Sequence, residues 1–198
     1  GHWERWWDWD PATWSALEAD KGKFNWGGID GRLARAEKEG RKVLWTLAYT
    51  PKWAHEPGHK LSPYSVQHVT HDVELWKNMV REVVSRYKGR INHYEVWNEP
   101  NNQGAAHGDR LNGYFKGTIP QYVEILKATY ETAKAIDPGV KILGISGTGD
   151  YFHFMNRVFE LGGLDYMDIV AIHTYSIPNG PEFGAGGLQG AVDDRMRR

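Results

Sequence analysis

The residues best suited to chemistry lie at the end of the stretch Ile91 to Asn101, INHYEVWNEPN, where an amide, a carboxyl and a proline (Asn98, Glu99, Pro100) close an apolar and aromatic run. Proline removes a ladder donor, so the run reads as a β-strand that stops there. On a strand buried on both faces, a carboxyl beside Trp97 must be hydrogen-bonded, ion-paired or shifted toward its neutral form. A carboxyl kept neutral near pH 7 can donate a proton, which is what glycoside hydrolysis asks of its general acid. Simple alternation puts His93, Glu95, Trp97 and Glu99 on one parity and Asn98 on the other. Asn98 and Glu99 can therefore reach one substrate only if the strand bulges or turns, as Pro100 allows. Glu95, two layers below Glu99, reads as a structural carboxylate neutralised by Arg5 or His93.

The elements that position these residues follow from periodicity. His2 to Trp9 reads as a short strand ending near Arg5 and Asp8, and Asp10 with Pro11 opens a helical turn over Ala12 to Ala19. Ile29, Leu33 and Ala36 recur at helical spacing before Gly40. Val43 to Tyr49 is a strand broken by Thr50 and Pro51, so Trp53 and His55 fall on the loop past its carboxyl end. Val73, Trp76, Val80, Val83 and Tyr87 form the apolar stripe of the clearest helix, Thr70 to Gly89. Asn101 to Gly117 is long, polar and glycine-containing and reads as a substrate loop in which Tyr114 and Phe115 meet sugar. Thr118 and Pro120 start a second strong helix, with Tyr122, Ile125, Leu126, Thr129, Ala133 and Ile136 on its core face. Val140 to Ser146 is a strand, Tyr151 to Leu161 a helix with Phe152, Met155 and Phe159 on one face, and Met167 to His173 a strand that delivers His173 and Tyr175 at its carboxyl end. Strands joined by helix-length crossovers must run parallel, which makes the fold class α/β.

WNEPN at a strand end resembles the fourth strand of the clan A glycoside hydrolases. The resemblance is supported by RWWD at Arg5, by W-x-x-L-E-x-x-x-G-x-F-x-W from Trp14 to Trp26, by TLAYTPKWA from Thr46 to Ala54 and by IHTY from Ile172 to Tyr175. Together these are most similar to family 39 and related bacterial endo-acting glycosidases, over nearly all of residues 3 to 178. The resemblance implies a (β/α)8 TIM barrel of which strands two to six are present, and a retaining mechanism with Glu99 as acid/base. It also implies that Asn98 hydrogen-bonds the sugar hydroxyl next to the anomeric carbon, while His173 and Tyr175 orient the nucleophile and touch the sugar. Trp53, His55, Arg5 and Asp8 complete the expected substrate-binding set, because barrel active sites form at the carboxyl ends of the strands.

The 198 residues suffice for one domain, read as a single partial catalytic domain, and 40% hydrophobic with 25% charged is ordinary for a globular chain. A net charge of −1 gives no electrostatic reason to bind nucleic acid or an anionic membrane. No apolar run has the length of a membrane span, and the N-terminus lacks a signal-peptide pattern, as a secreted or periplasmic protein would once its leader is removed. With zero cysteines, disulfides and thiolate metal sites are excluded. His55, His59, His68 and His71 have spacings that could pair on a helix, but Pro57, Gly58 and Pro63 make the segment a loop of solvated histidines. No metal or cofactor is expected. Ten tryptophans and ten tyrosines suit both a large aromatic core and an oligo- or polysaccharide cleft.

Retention requires a second carboxyl about 5 Å from the first, and the family places that nucleophile at the end of the seventh strand. The strands here match the second to the sixth, so the nucleophile is expected from outside this sequence and the 198 residues alone are expected to be inactive. Glu182 in GPEFG follows Tyr175 too closely for a crossover helix and lies among proline and glycine, so it reads as a decoy. Five strands left open imply unpaired edges and self-association. Two other readings compete: a noncatalytic carbohydrate-binding remnant using Trp53, Trp97 and Tyr175 as a stacking platform, and an unrelated α/β protein sharing a chance NEP.

Overall fold

Alternating short apolar strands and amphipathic helices leave the chain one way to cover its apolar faces: a parallel sheet layered by helices. The computed structural model describes residues 2–7, 11–60, 62, 64–102, 108–148 and 151–174. Its main sheet has five parallel strands: β1 (Trp3–Trp6), β2 (Lys42–Leu47), β3 (His93–Val96), β6 (Lys141–Gly147) and β7 (Ile169–Ile172), hydrogen-bonded in that order. Between β3 and β6 lies a hairpin of β4 (Arg110–Asn112) and β5 (Lys116–Thr118). The helices are α1 (Trp14–Leu17), α2 (Gly27–Lys38), α3 (Val73–Tyr87), α4 (Ile119–Ile136) and α5 (Tyr151–Glu160).

Sheet register sorts the side chains into two layers. Trp6, Trp45, Tyr94 and Ile142 are neighbours across four strands, all buried, and the Trp45 ring meets Tyr87 of α3, so this row faces the helices. The next row, Thr46, Glu95 and Leu143, faces the other way, into what would be a barrel interior. Helix starts are capped as their residue types require. Asp72 accepts from the Glu74 N–H at α3, and at α4 Thr118 and Gln121 form a capping box with Pro120 in the first turn. Trp76, Val80, Val83 and Tyr87 are buried as expected, and the Trp76 indole donates to Thr129 Oγ1, locking α3 to α4.

Some expectations are corrected. The helical turn after Pro11 is only Trp14–Leu17, closed at Glu18, whose N–H donates to Trp14 O, with a left-handed Gly22 in the turn that follows. In α5 the fully buried residues are Phe154 and Val158, with Phe152, Met155 and Phe159 half-buried beside them. The segment expected to be a substrate loop carries the β4–β5 hairpin, and Phe115 is wholly buried against Trp97 and Tyr122 rather than presented to a sugar. Tyr114 uses its carbonyl to accept from the Trp97 indole.

Candidate active site

The carboxyl ends of β3 and β6 do not continue as regular strands. Trp97 and Glu99 have φ of 65° and 43°, and Ile145 and Ser146 have φ of 74° and 48°. Left-handed backbone at a non-glycine residue costs on the order of 1 kcal/mol or more and persists only when surrounding structure fixes it. The fixing contacts are identifiable. The Glu99 N–H donates to Ser146 O, the Trp97 N–H donates to Leu47 O, and the buried Tyr122 hydroxyl of α4 accepts from the Ile145 N–H and donates to Val96 O. Asn101 clamps the same region, its amide donating to Thr148 O and accepting from the Thr148 N–H.

These turns do what strict alternation forbids. Asn98, three residues beyond Glu95, comes round to the same guanidinium: Arg5 Nε and Nη2 donate to Glu95 Oε2 at 2.8 and 2.6 Å, and Nη2 also donates to Asn98 Oδ1 at 2.8 Å. Thr46 Oγ1 donates to the same Glu95 oxygen. Burial pushes the Glu95 carboxyl up, but its bonds to His173 and Thr46 and the Arg5 charge outweigh burial and hold it below the ordinary carboxylate range. Arg5 thus makes Glu95 a fixed interior anion, as its position two layers below Glu99 implies.

His173 leaves β7 and joins both carboxyls. Its Nε2 lies 3.0 Å from Glu95 Oε1 and its Nδ1 lies 3.2 Å from Glu99 Oε1. Each of these N···O contacts needs one proton between its atoms, so Glu95, His173 and Glu99 together hold two. With Glu95 ionised, the second proton belongs either to His173 Nδ1 or to Glu99. Glu99 is therefore built into a proton-sharing pair at the mouth of the sheet while only 4% exposed. Asn102 Nδ2 donates to the other oxygen, Oε2, at 2.7 Å. Among the described residues the buried Asn98 Nδ2 atom has no hydrogen-bond partner, a donor held at the site for an acceptor that a ligand could supply.

Arg5, Asn98, Glu99 and His173 are thus brought together. Trp53 and His55 take up their contacts elsewhere. The Trp53 indole donates to Glu18 O and packs edge-on to Trp14. His55 is buried, stacks on His59 at 4.9 Å and lies 6.2 Å from His68, so these three histidines pack together rather than standing solvated, while His71 is exposed. Burial, then the neighbouring imidazoles, push His55 down to about 4. Among the described residues, no group of three or more His, Asp or Glu side chains is set to hold a metal, and no helix is long and apolar enough to cross a membrane. Asp8, Tyr175 and Glu182 lie outside the described residues. Trp97 is fully buried, which removes one face from the stacking platform of the carbohydrate-binding alternative. The sequence patterns mark Tyr122 only as a core residue and give no site role to Thr46, Asn102 or the Tyr122 hydroxyl. A polar residue three positions past the carboxyl was the one signal that could have pointed to Asn102.

A five-stranded parallel sheet layered by helices is the arrangement of part of a (β/α)8 barrel, and solved structures with that fold superpose on it. A family 39 glycoside hydrolase from the gut symbiont Bacteroides cellulosilyticus WH2 matches with a TM-score of 0.66 and 23% identity, over 94% of this chain and 35% of that one. A psychrophilic family 10 endo-β-1,4-xylanase matches with a TM-score of 0.61 and 19% identity, over 92% of this chain and 58% of that one. The chain belongs to glycosyl hydrolase family 10, whose model matches residues 11–145. Among curated relatives, endo-1,4-β-xylanase A of Fusarium oxysporum f. sp. lycopersici is 26% identical over 133 residues, 65% of this chain and 37% of that protein. Endo-1,4-β-xylanase B of Humicola insolens is 28% identical over 91 residues, 43% of this chain and 23% of that protein. The clan A resemblance read from WNEPN is borne out, with family 39 present among the similar structures and family 10 as the matching family. The chain spans 37%, 34% and 23% of the length of three of the curated relatives it matches.

Proposed function

We propose that this chain carries the acid/base half of a retaining glycosidase that hydrolyses O-glycosyl bonds of an oligo- or polysaccharide, with a β-1,4-linked xylan backbone as the substrate suggested by the relatives' names. The observation that carries this reading is Glu99, a nearly buried carboxyl at a strand end whose two oxygens face His173 Nδ1 and Asn102 Nδ2. In the first step Glu99 gives its proton to the leaving glycosidic oxygen as that C–O bond breaks, and a carboxylate nucleophile forms a bond to the anomeric carbon. In the second, water attacks that carbon, the carboxylate leaves, and Glu99 takes the water's proton. Glu95 is too deeply buried and too fully engaged by Arg5, Thr46 and His173 to be that nucleophile. The nucleophile comes from outside the described residues. Asn98 supports the reading through its Nδ2, which has no partner among the described residues and suits a hydroxyl beside the reacting carbon.

The test is Glu99→Gln in the complete polypeptide. Turnover of unactivated xylo-oligosaccharides is expected to fall by at least 10²-fold, the lower bound of what general acid–base catalysis contributes. Circular dichroism is expected to be unchanged. An active mutant would remove Glu99 from the acid/base role.

A further inference from the structure

We infer that Asn102 is a positioning residue for Glu99, one that selects which carboxyl oxygen carries the transferable proton; this rests on the acid/base reading of Glu99. The amide Nδ2 can only donate, and it donates to Oε2 at 2.7 Å. The carbonyl oxygen of a neutral carboxyl is the better acceptor, so that bond favours the proton of the acid on Oε1, the oxygen that faces His173 Nδ1. Asn102 and His173 thereby face one oxygen each, the first set as acceptor and the second placed to exchange its proton with the imidazole. A carboxyl whose rotation is set in this way loses less on reaching the geometry for proton transfer.

The backbone holds Asn102 to this task. Its N–H donates to Glu99 O at 2.9 Å, closing a tight turn directly after the left-handed Glu99. The hairpin presses on the turn from outside: a Cβ at Gly113 would stand 1.9 Å from the Asn102 carbonyl oxygen, so only glycine fits there while the turn keeps its place. The hairpin that sequence reasoning takes for a substrate loop is a brace for the acid.

The experiment uses the complete, active polypeptide with Asn102→Ala, the near-isosteric Asn102→Asp and Gly113→Ala, beside Glu99→Gln. Two substrates are compared by kcat/KM: an unactivated xylo-oligosaccharide, whose leaving group needs protonation, and a dinitrophenyl xyloside, whose leaving group does not. For Asn102→Ala, a loss of roughly tenfold is expected on the first substrate, a fraction of the 10²–10⁴ general acid–base total. On the second, kcat/KM should stay within about twofold, since that step bypasses proton donation. The alkaline limb of the pH profile on the oligosaccharide should move to higher pH, because the donor that favours the ionised carboxylate is gone, and should move further in Asn102→Asp, which adds a like charge. Gly113→Ala should reproduce the leaving-group split. Equal losses on both substrates with an unmoved limb would mean a merely structural Asn102 and overturn the inference, as would wild-type behaviour of both Asn102 variants. If Asn102→Ala does not fold, Asn102→Asp decides through the same two readouts. An active Glu99→Gln overturns the functional reading itself, which separates the two failures.

Discussion

Arg5→Met tests the electrostatic floor on which the site stands. Glu95 is 1% exposed, and the substitution removes the only guanidinium described at that carboxylate, leaving Thr46 and His173 as its partners. Breaking a buried pair by deleting one member costs about 3–5 kcal/mol, because the other charge is left in a poorly solvating interior. The Arg5 side chain is 27% exposed, so water already screens part of the pair and can enter where the guanidinium was, which places the expectation at the lower end, about 3 kcal/mol. For a chain of this size that corresponds to a fall in Tm of about 6–12 °C at pH 7. The sign of the pH dependence follows from Glu95. Its folded value is depressed, so its stabilising contribution is fully present above the unfolded value near 4.3 and is lost as pH falls through the lower folded value. The gap between wild type and Arg5→Met should therefore be widest near neutrality and close progressively below about pH 4. Thermal unfolding followed by circular dichroism at pH 7 and at pH 3 measures both. A gap under about 1 kcal/mol at pH 7, or one of equal size at both pH values, would refute the assignment of Glu95 as an anion held by Arg5.

His55→Phe should flatten the acid side of the stability curve. The unfolded imidazole takes a proton near 6.5 and the folded one only at about 4, so wild-type stability falls as pH drops across that interval. His59, His68 and His71 share the field, and the difference between the two proteins should change by on the order of 2 kcal/mol between pH 7 and pH 4; parallel curves in urea titrations would contradict this. The 198-residue chain on its own is expected to self-associate through its sheet edges. Trp3 on β1 is 53% exposed, and Ile169 and Val170 on β7 are 40% and 39% exposed. Sedimentation velocity should show a concentration-dependent increase in mass, and Val170→Lys should suppress it; a monodisperse monomer at high concentration would count against open edges.

The sequence by itself determined the strands of the main sheet, the longer helices and their order. Apolar spacing located α3 and α4, residues such as Asp72, Thr118 and Pro120 marked helix starts, and helix-length crossovers required parallel strands; each of these is a local matter of period, capping or chain reach. It also put Glu99 near a strand's carboxyl end, although the ladder stops at Val96, before the left-handed Trp97, and not at Pro100. What only the tertiary structure decided is how the side chains converge. Arg5 and Glu95 are 90 residues apart and His173 is 78 from Glu95, so their meeting depends on sheet order and register. The left-handed turns at Trp97 and Glu99 defeat parity reasoning, since bonds from Leu47, Ser146 and Tyr122 on other elements stabilise a backbone that those residue types would not choose alone. The β4–β5 hairpin escaped notice because strands of three residues offer almost no alternation to read, and its form depends on Phe115 burying itself against Trp97 and Tyr122. A period is written in neighbouring residues, whereas the partner of a buried charge is settled by the packing of the whole sheet.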